Sequence, residues 1–92
     1  MSPAEVLEAL ADLCREAGLE VRRARAGPEG SGEPAVRSGV CRVRGALWLV
    51  LCDADGVEER IGAAADALRV HAPDFLDGRY LPPALRQRLG GG

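Results

Sequence analysis

With 92 residues, a mass of 9.7 kDa, 47% apolar and 28% charged residues, the chain has the makeup of one small globular domain. A net charge of −2 and only three aromatic side chains (Trp48, Phe75 and Tyr80) supply neither the field nor the stacking platforms that nucleic acid requires. Lys, Thr and Asn are absent and His71 is the sole histidine, which removes Schiff-base chemistry, phosphate loops ending in Lys, and most of the material for a Ser/His/Asp triad.

No run reaches the roughly 18 apolar residues of a membrane span. Glu5, Glu8 and Asp12 stand where a signal peptide would be basic and then apolar, so the expectation is a cytoplasmic protein that meets no membrane. Cys14, Cys41 and Cys52 are odd in number and widely spaced. They fit free thiols in a reducing compartment better than a disulfide framework or a zinc site, and no metal or other cofactor is expected.

Ser2-Pro3-Ala4-Glu5 is a capping box with Pro in the first helical position, and it predicts a helix over 3–17 that Gly18 stops. Val6, Leu7, Leu10, Leu13, Cys14 and Ala17 share its apolar face. Leu19 to Arg25 alternates as a half-exposed strand. The Gly- and Pro-rich stretch 26–34 predicts a mobile loop.

A hairpin follows, formed by 35–44 and 47–52 with Gly45 and Ala46 as the turn. That register places Val43 opposite Trp48 and Cys41 opposite Val50. One face then holds Cys41, Val43, Trp48, Val50 and Cys52, and the other holds Arg42, Arg44, Leu47, Leu49 and Leu51. The run Leu47-Trp48-Leu49-Val50-Leu51 is apolar on both faces and asks for cover on both. Asp53 to Asp55 end the strand, and Asp55 with Glu58 forms a capping box for a second helix carrying Val57, Ile61, Ala64, Ala65, Leu68 and Ala72 on one face. His71 falls on the apolar side of that helix near its end. Pro73 terminates the helix, and 82–89 makes a short terminal helix.

Charge is uneven along the chain: residues 1–19 carry −3, 20–52 carry +3, 53–77 carry −5 and 78–92 carry +3. Basic strands and tail against acidic helices predict complementarity within the domain.

The segment Leu49-Val50-Leu51-Cys52-Asp53-Ala54-Asp55-Gly56 resembles the first motif of the haloacid-dehalogenase-like phosphatases. The resemblance implies Asp53 as nucleophile and Asp55 as general acid near magnesium. Val57 replaces that family's Thr, no Lys exists for its third motif, and only 36 residues follow Gly56. The same aspartates do not make a calcium loop, since Gly56 is in fourth rather than sixth position. The succession of a helix, three strands and a helix ending in His71 is similar to the core of minimal zinc metallopeptidases. Ala67-Leu68-Arg69-Val70-His71 lacks the first His and the Glu of their motif, so this likeness implies a metal-free relative.

Arg88-Leu89-Gly90-Gly91-Gly92 resembles the tails of ubiquitin-like modifiers and bacterial sulfur carriers, which implies activation of the Gly92 carboxylate. Those proteins begin with a β-hairpin, and this chain begins with a helix. Over most of its length, through Cys41-Arg42-Val43-Arg44-Gly45 and Tyr80-Leu81-Pro82-Pro83-Ala84-Leu85-Arg86, the chain resembles small bacterial proteins of unassigned function. That likeness implies a compact domain and brings no catalytic residues.

The expected architecture is a single α+β domain over 1–89 with a flexible Gly tail at 90–92, its three-stranded, mostly antiparallel sheet carrying the two long helices on one face. Leu47, Leu49 and Leu51 then form a second apolar face, each worth about 1.5 to 3 kcal/mol when buried. Either the terminal segment (Phe75, Tyr80, Leu81, Leu85) or another protein covers it. The expected function is a non-enzymatic interaction or assembly module in which Arg42, Arg44, Leu47, Leu49, Leu51, Arg79 and Tyr80 contact a protein partner or a second copy in a homodimer. The alternatives are a Gly-Gly carrier and a small Asp-dependent phosphatase.

Overall fold

The structure is a computed structural model that describes residues 1–24 and 38–90. Seven elements follow in order: α1 (Pro3–Glu16), β1 (Glu20–Ala24), β2 (Gly39–Val43), β3 (Ala46–Cys52), α2 (Val57–His71), α3 (Pro73–Leu76) and α4 (Pro83–Leu89). The fold is α+β with a three-stranded sheet, as the sequence predicts. The expected loop over 26–34 and the last two glycines lie outside the described residues.

Local chemistry sets both ends of α1. The Glu5 N–H donates to Ser2 Oγ and the Ser2 N–H donates to Glu5 Oε1, each at 3.2 Å, which is the capping box complete. At the other end Gly18 adopts φ +99°, its N–H donates to the Arg15 carbonyl, and the Leu19 N–H donates to the Cys14 carbonyl. This is a Schellman motif, and the buried Leu19 is its hydrophobic anchor.

Sheet order is β1-β3-β2, with β3 central. β2 runs antiparallel to β3, but β1 pairs with it parallel, so the sheet is mixed rather than mostly antiparallel. The most apolar strand thus gains a hydrogen-bonded neighbour on either side. Hairpin register differs from expectation: Cys41 faces Trp48, Arg42 faces Leu47 and Val43 faces Ala46. The turn residues are Arg44 and Gly45, at φ +50° and +83°, because a two-residue turn that matches strand twist needs both in the left-handed region. The slip amounts to two residues, which preserves the division of side chains between the two faces.

The helices cover the face that was expected to be left over. Leu49 and Leu51 are 0% and 3% exposed and lie within the main core with Val6, Leu10, Leu13 and Cys14 of α1 and Ile61, Ala64 and Leu68 of α2. Leu47, Val21 and Val40 pack around that core. The helices take the Leu-rich side because it removes more apolar area from water. The side left over holds Cys41, Val43, Trp48 and Val50, with the Arg22 guanidinium 4.9 Å above the Trp48 ring. The terminal segment does not reach it: Leu81, Leu85 and Leu89 join the core, with α4 lying against α1 and α2.

Segment charges pair as the sequence predicts. Arg79 of the α3–α4 connector meets Glu16 of α1 at 2.7 Å, Arg88 of α4 meets Glu58 of α2 at 2.6 Å, and Arg23 of β1 meets Glu8 of α1 at 3.7 Å. No described helix is long and apolar enough to cross a membrane.

Candidate functional site

The β2 strand is at one edge of the sheet, and among the described residues no strand pairs with its outer side. In a hairpin closed by a two-residue turn, the flanking residues Val43 and Ala46 form a hydrogen-bonded pair. Alternation along the ladder then makes Cys41–Trp48 and Gly39–Val50 hydrogen-bonded pairs as well. The N–H and C=O groups of Val40 and Arg42 therefore point away from β3, and no described residue pairs with them. Sheet edges are commonly blunted by Pro, bulges or clustered charge. Gly39-Val40-Cys41-Arg42-Val43 has no Pro, an unbroken register with β3 and a single charge.

Beside this edge runs a groove of about 220 Å³, with Ser38, Gly39 and Val40 on the strand side and Ala63, Asp66, Ala67, Val70 and His71 on the α2 side. It exists because α2 presents small residues here: Ala63 and Ala67 recur at helical spacing and leave room that larger side chains would fill. Val70 on its rim is 68% exposed, although it is a branched aliphatic residue. His71 is exposed on the same rim rather than turned to the apolar side, because Ala72, Leu68 and Ala64 already occupy the inward stripe. Asp66 is paired with Arg69 one turn on.

The opposite edge is different in character. β1 carries Glu20, Arg22 and Arg23, of which Arg22 and Glu20 pair at 3.0 Å and Arg23 pairs with Glu8. Charged side chains of this kind protect an edge from further pairing. A second concavity of about 340 Å³ near the start of β1 is lined by Arg15, Gly18, Leu19, Glu20 and Val21.

The start of β2 is fixed by two side-chain tethers. The Ser38 N–H donates to Asp55 Oδ2 at 2.8 Å, and Ser38 Oγ accepts from the Cys52 N–H at 2.8 Å. Asp55 thus binds a strand end 17 residues away and does not cap α2, whose N-cap is Gly56 with no side-chain hydrogen bond. Glu58 is drawn to Arg88 instead, and those hydrogen bonds hold its carboxyl below the ordinary range. Asp53 is exposed, and its N–H donates to the Ala24 carbonyl.

The sequence-derived contact residues separate into three groups. Leu49 and Leu51 are core and Leu47 is half-buried against it, so these three do not form the leftover face. Arg42 and Arg44 are exposed at the β2 end of the hairpin, where Arg42 Nη1 donates to the Gly45 carbonyl at 3.3 Å. Arg79 is engaged by Glu16 and lies 4.7 Å over the Phe75 ring, while Tyr80 is 78% exposed. Sequence reasoning missed Val70, Ala63, Ala67 and Asp66. The small-residue stripe is visible in the sequence, but its value as a groove depends on which strand lies beside it.

Cys14 and Cys52 are buried and Cys41 is exposed. Among the described residues no three His, Cys, Asp or Glu side chains gather into a potential metal site. Comparison with protein-family models, with curated proteins and with solved structures finds no match to this chain.

Proposed function

We propose that the chain is a non-enzymatic protein-interaction module that docks a partner polypeptide along the free edge of β2 and the adjoining β2–α2 groove. One observation carries this reading: a strand edge with outward-facing backbone groups lies next to an exposed aliphatic residue, Val70, on the rim of a groove of about 220 Å³. An unpaired backbone edge recognises another extended backbone, and a neighbouring apolar pocket adds side-chain selectivity.

Replacing Val40 by Pro tests the proposal, since it deletes an outward N–H and leaves the β2–β3 ladder its donors. Native mass spectrometry of the protein isolated from its own host should show a complex heavier than the 9.7 kDa chain, reduced to the bare chain by Val40→Pro and weakened by Val70→Glu. Val70→Glu changes an exposed side chain and keeps the test decisive should the Pro variant fold poorly. A wild-type protein found only as the bare chain, or a complex that survives both substitutions in folded protein, would overturn the reading.

A further inference from the structure

Building on the docking reading above, we infer that the partner on the β2 edge is a second copy of this chain, joined antiparallel through β2 with Cys41 opposite Cys41 and with Arg42 of each copy lodged in the other's groove beside Asp66.

The register follows from which backbone groups are free. Two copies related by a two-fold axis present the same strand to each other, and the outward-facing residues Val40 and Arg42 must meet outward-facing residues. The centre of the pairing can therefore be Val40, Cys41 or Arg42. Centring on Arg42 sets two guanidinium groups directly opposite, which is unfavourable. Centring on Val40 leaves Val43 without a partner within β2. Centring on Cys41 pairs the whole strand: Gly39 with Val43, Val40 with Arg42, and Cys41 with itself. Both Val40–Arg42 pairs then exchange backbone hydrogen bonds.

Charge and shape agree with this register. The side chains of Val40 and Arg42 point to the helix-bearing side of the sheet, as shown by the packing of Val40 against the core. Arg42 of the partner subunit, opposite Val40, thereby enters the groove that Val40 shares with Ala63, Asp66 and Ala67. Arg42 has no ion pair within its own chain among the described residues, and Asp66 is met only from its own helix, by Arg69. The exchange is reciprocal, so it occurs twice.

Helix placement also fits. α2 packs against both β2 and β3. With strands about 4.8 Å apart, a continuous sheet across the edge brings α2 and the partner subunit's α2 to about 10 Å, a normal separation for packed helices. Ala63 and Ala67 permit that approach, and Val70 gains cover. On the other side of the sheet, the row Trp48–Cys41 continues into its symmetric copy, which extends the apolar strip that the helices leave open.

Cys41 reports the register. Opposed residues in a pair of this kind have Cα atoms about 4.5 Å apart, within the span of a disulfide, whereas Cys14 and Cys52 are buried in their own domain. Treating the purified chain with diamide should convert two Cys41 thiols into one disulfide, their two protons and two electrons passing to the diazene, which becomes a hydrazine. The expected results are a species of twice the 9.7 kDa chain mass before oxidation and a covalent dimer after it, the latter abolished by Cys41→Ser. Arg42→Glu and Asp66→Arg should each weaken dimerisation at least tenfold, and the double variant should restore it.

A purified wild-type chain that stays monomeric, a dimer that does not cross-link through Cys41, or one indifferent to Arg42→Glu would overturn the inference. A chain monomeric when pure that still forms a Val40→Pro-sensitive complex in its host would overturn the second copy as partner and uphold the docking edge. Monomer under both conditions would remove both.

Discussion

Burial pushes the Cys14 thiol up to about 11, opposed weakly by the charge of Arg15, while its Sγ–H points at the Ala64 carbonyl 3.7 Å away across the α1–α2 contact. A folded-state pKa above the unfolded value near 9.0 stabilises the fold below pH 9, and that stabilisation drains away as pH rises toward 11. Urea denaturation between pH 8.5 and 11, on the order of the range just given, should show falling stability in the wild type and a flatter profile in Cys14→Ala, which itself costs about 1 kcal/mol through the small cavity it leaves. A wild-type profile as flat as the variant's would refute a buried thiol at the helix contact. Leu49 makes the same point for the core. It is 0% exposed between the helices and β3, so Leu49→Ala should cost about 2 to 5 kcal/mol, enough to unfold most of a domain this small. Leu49→Asp would abolish the fold itself and is no probe of assembly.

At the scale of elements, the β2–β3 hairpin offers a prediction that the sequence alone did not. Arg44 is held at φ +50°, a conformation that costs an ordinary side chain about 1 kcal/mol or more and that Asn tolerates better. Arg44→Asn should therefore raise stability by about 0.5 to 1 kcal/mol in denaturant titration, and Gly45→Ala should lower it by a similar or larger amount. An unchanged midpoint in both would mean that the turn is not under this constraint. The α1 capping box was legible because Ser2 and Glu5 need only each other, three residues apart. The Asp55–Glu58 box was equally well formed as a pattern, yet Ser38 and Arg88, 17 and 30 residues distant, hold those carboxylates instead. Local patterns yield to tertiary partners that pattern reading does not see. The division of hairpin side chains into two faces survived a misplaced turn because the error was two residues, an even number. Which face the helices cover was inverted: three leucines outweigh Trp48 and Val50 as apolar area, and the helices bury the larger share. The groove itself was not legible, since it needs both the β1-β3-β2 order and the small stripe of α2.

For the molecule as a whole, a chain of 92 residues gains stability in proportion to what it buries, and association adds burial that one copy lacks. The core of this domain draws on one face of a three-stranded sheet, two long helices and three leucines of the C-terminal region, Leu81, Leu85 and Leu89. Covering the β2 edge with a second copy would couple folding to protein concentration. If native dimer unfolds to two chains, each tenfold rise in concentration stabilises the folded state by about 1.4 kcal/mol of dimer, or about 0.7 kcal/mol of chain. For a domain of this size that corresponds to a rise in Tm of about 3 to 5 °C per tenfold. Differential scanning calorimetry over a hundredfold concentration range, on the order of micromolar to sub-millimolar, should show this rise in the wild type and its loss in Arg42→Glu. Arg42 is an exposed edge residue whose replacement leaves the hydrophobic core untouched, so a flattened concentration dependence in that variant locates the coupling at the β2 edge. A wild-type Tm that does not move with concentration would instead assign all of the stability to the single chain.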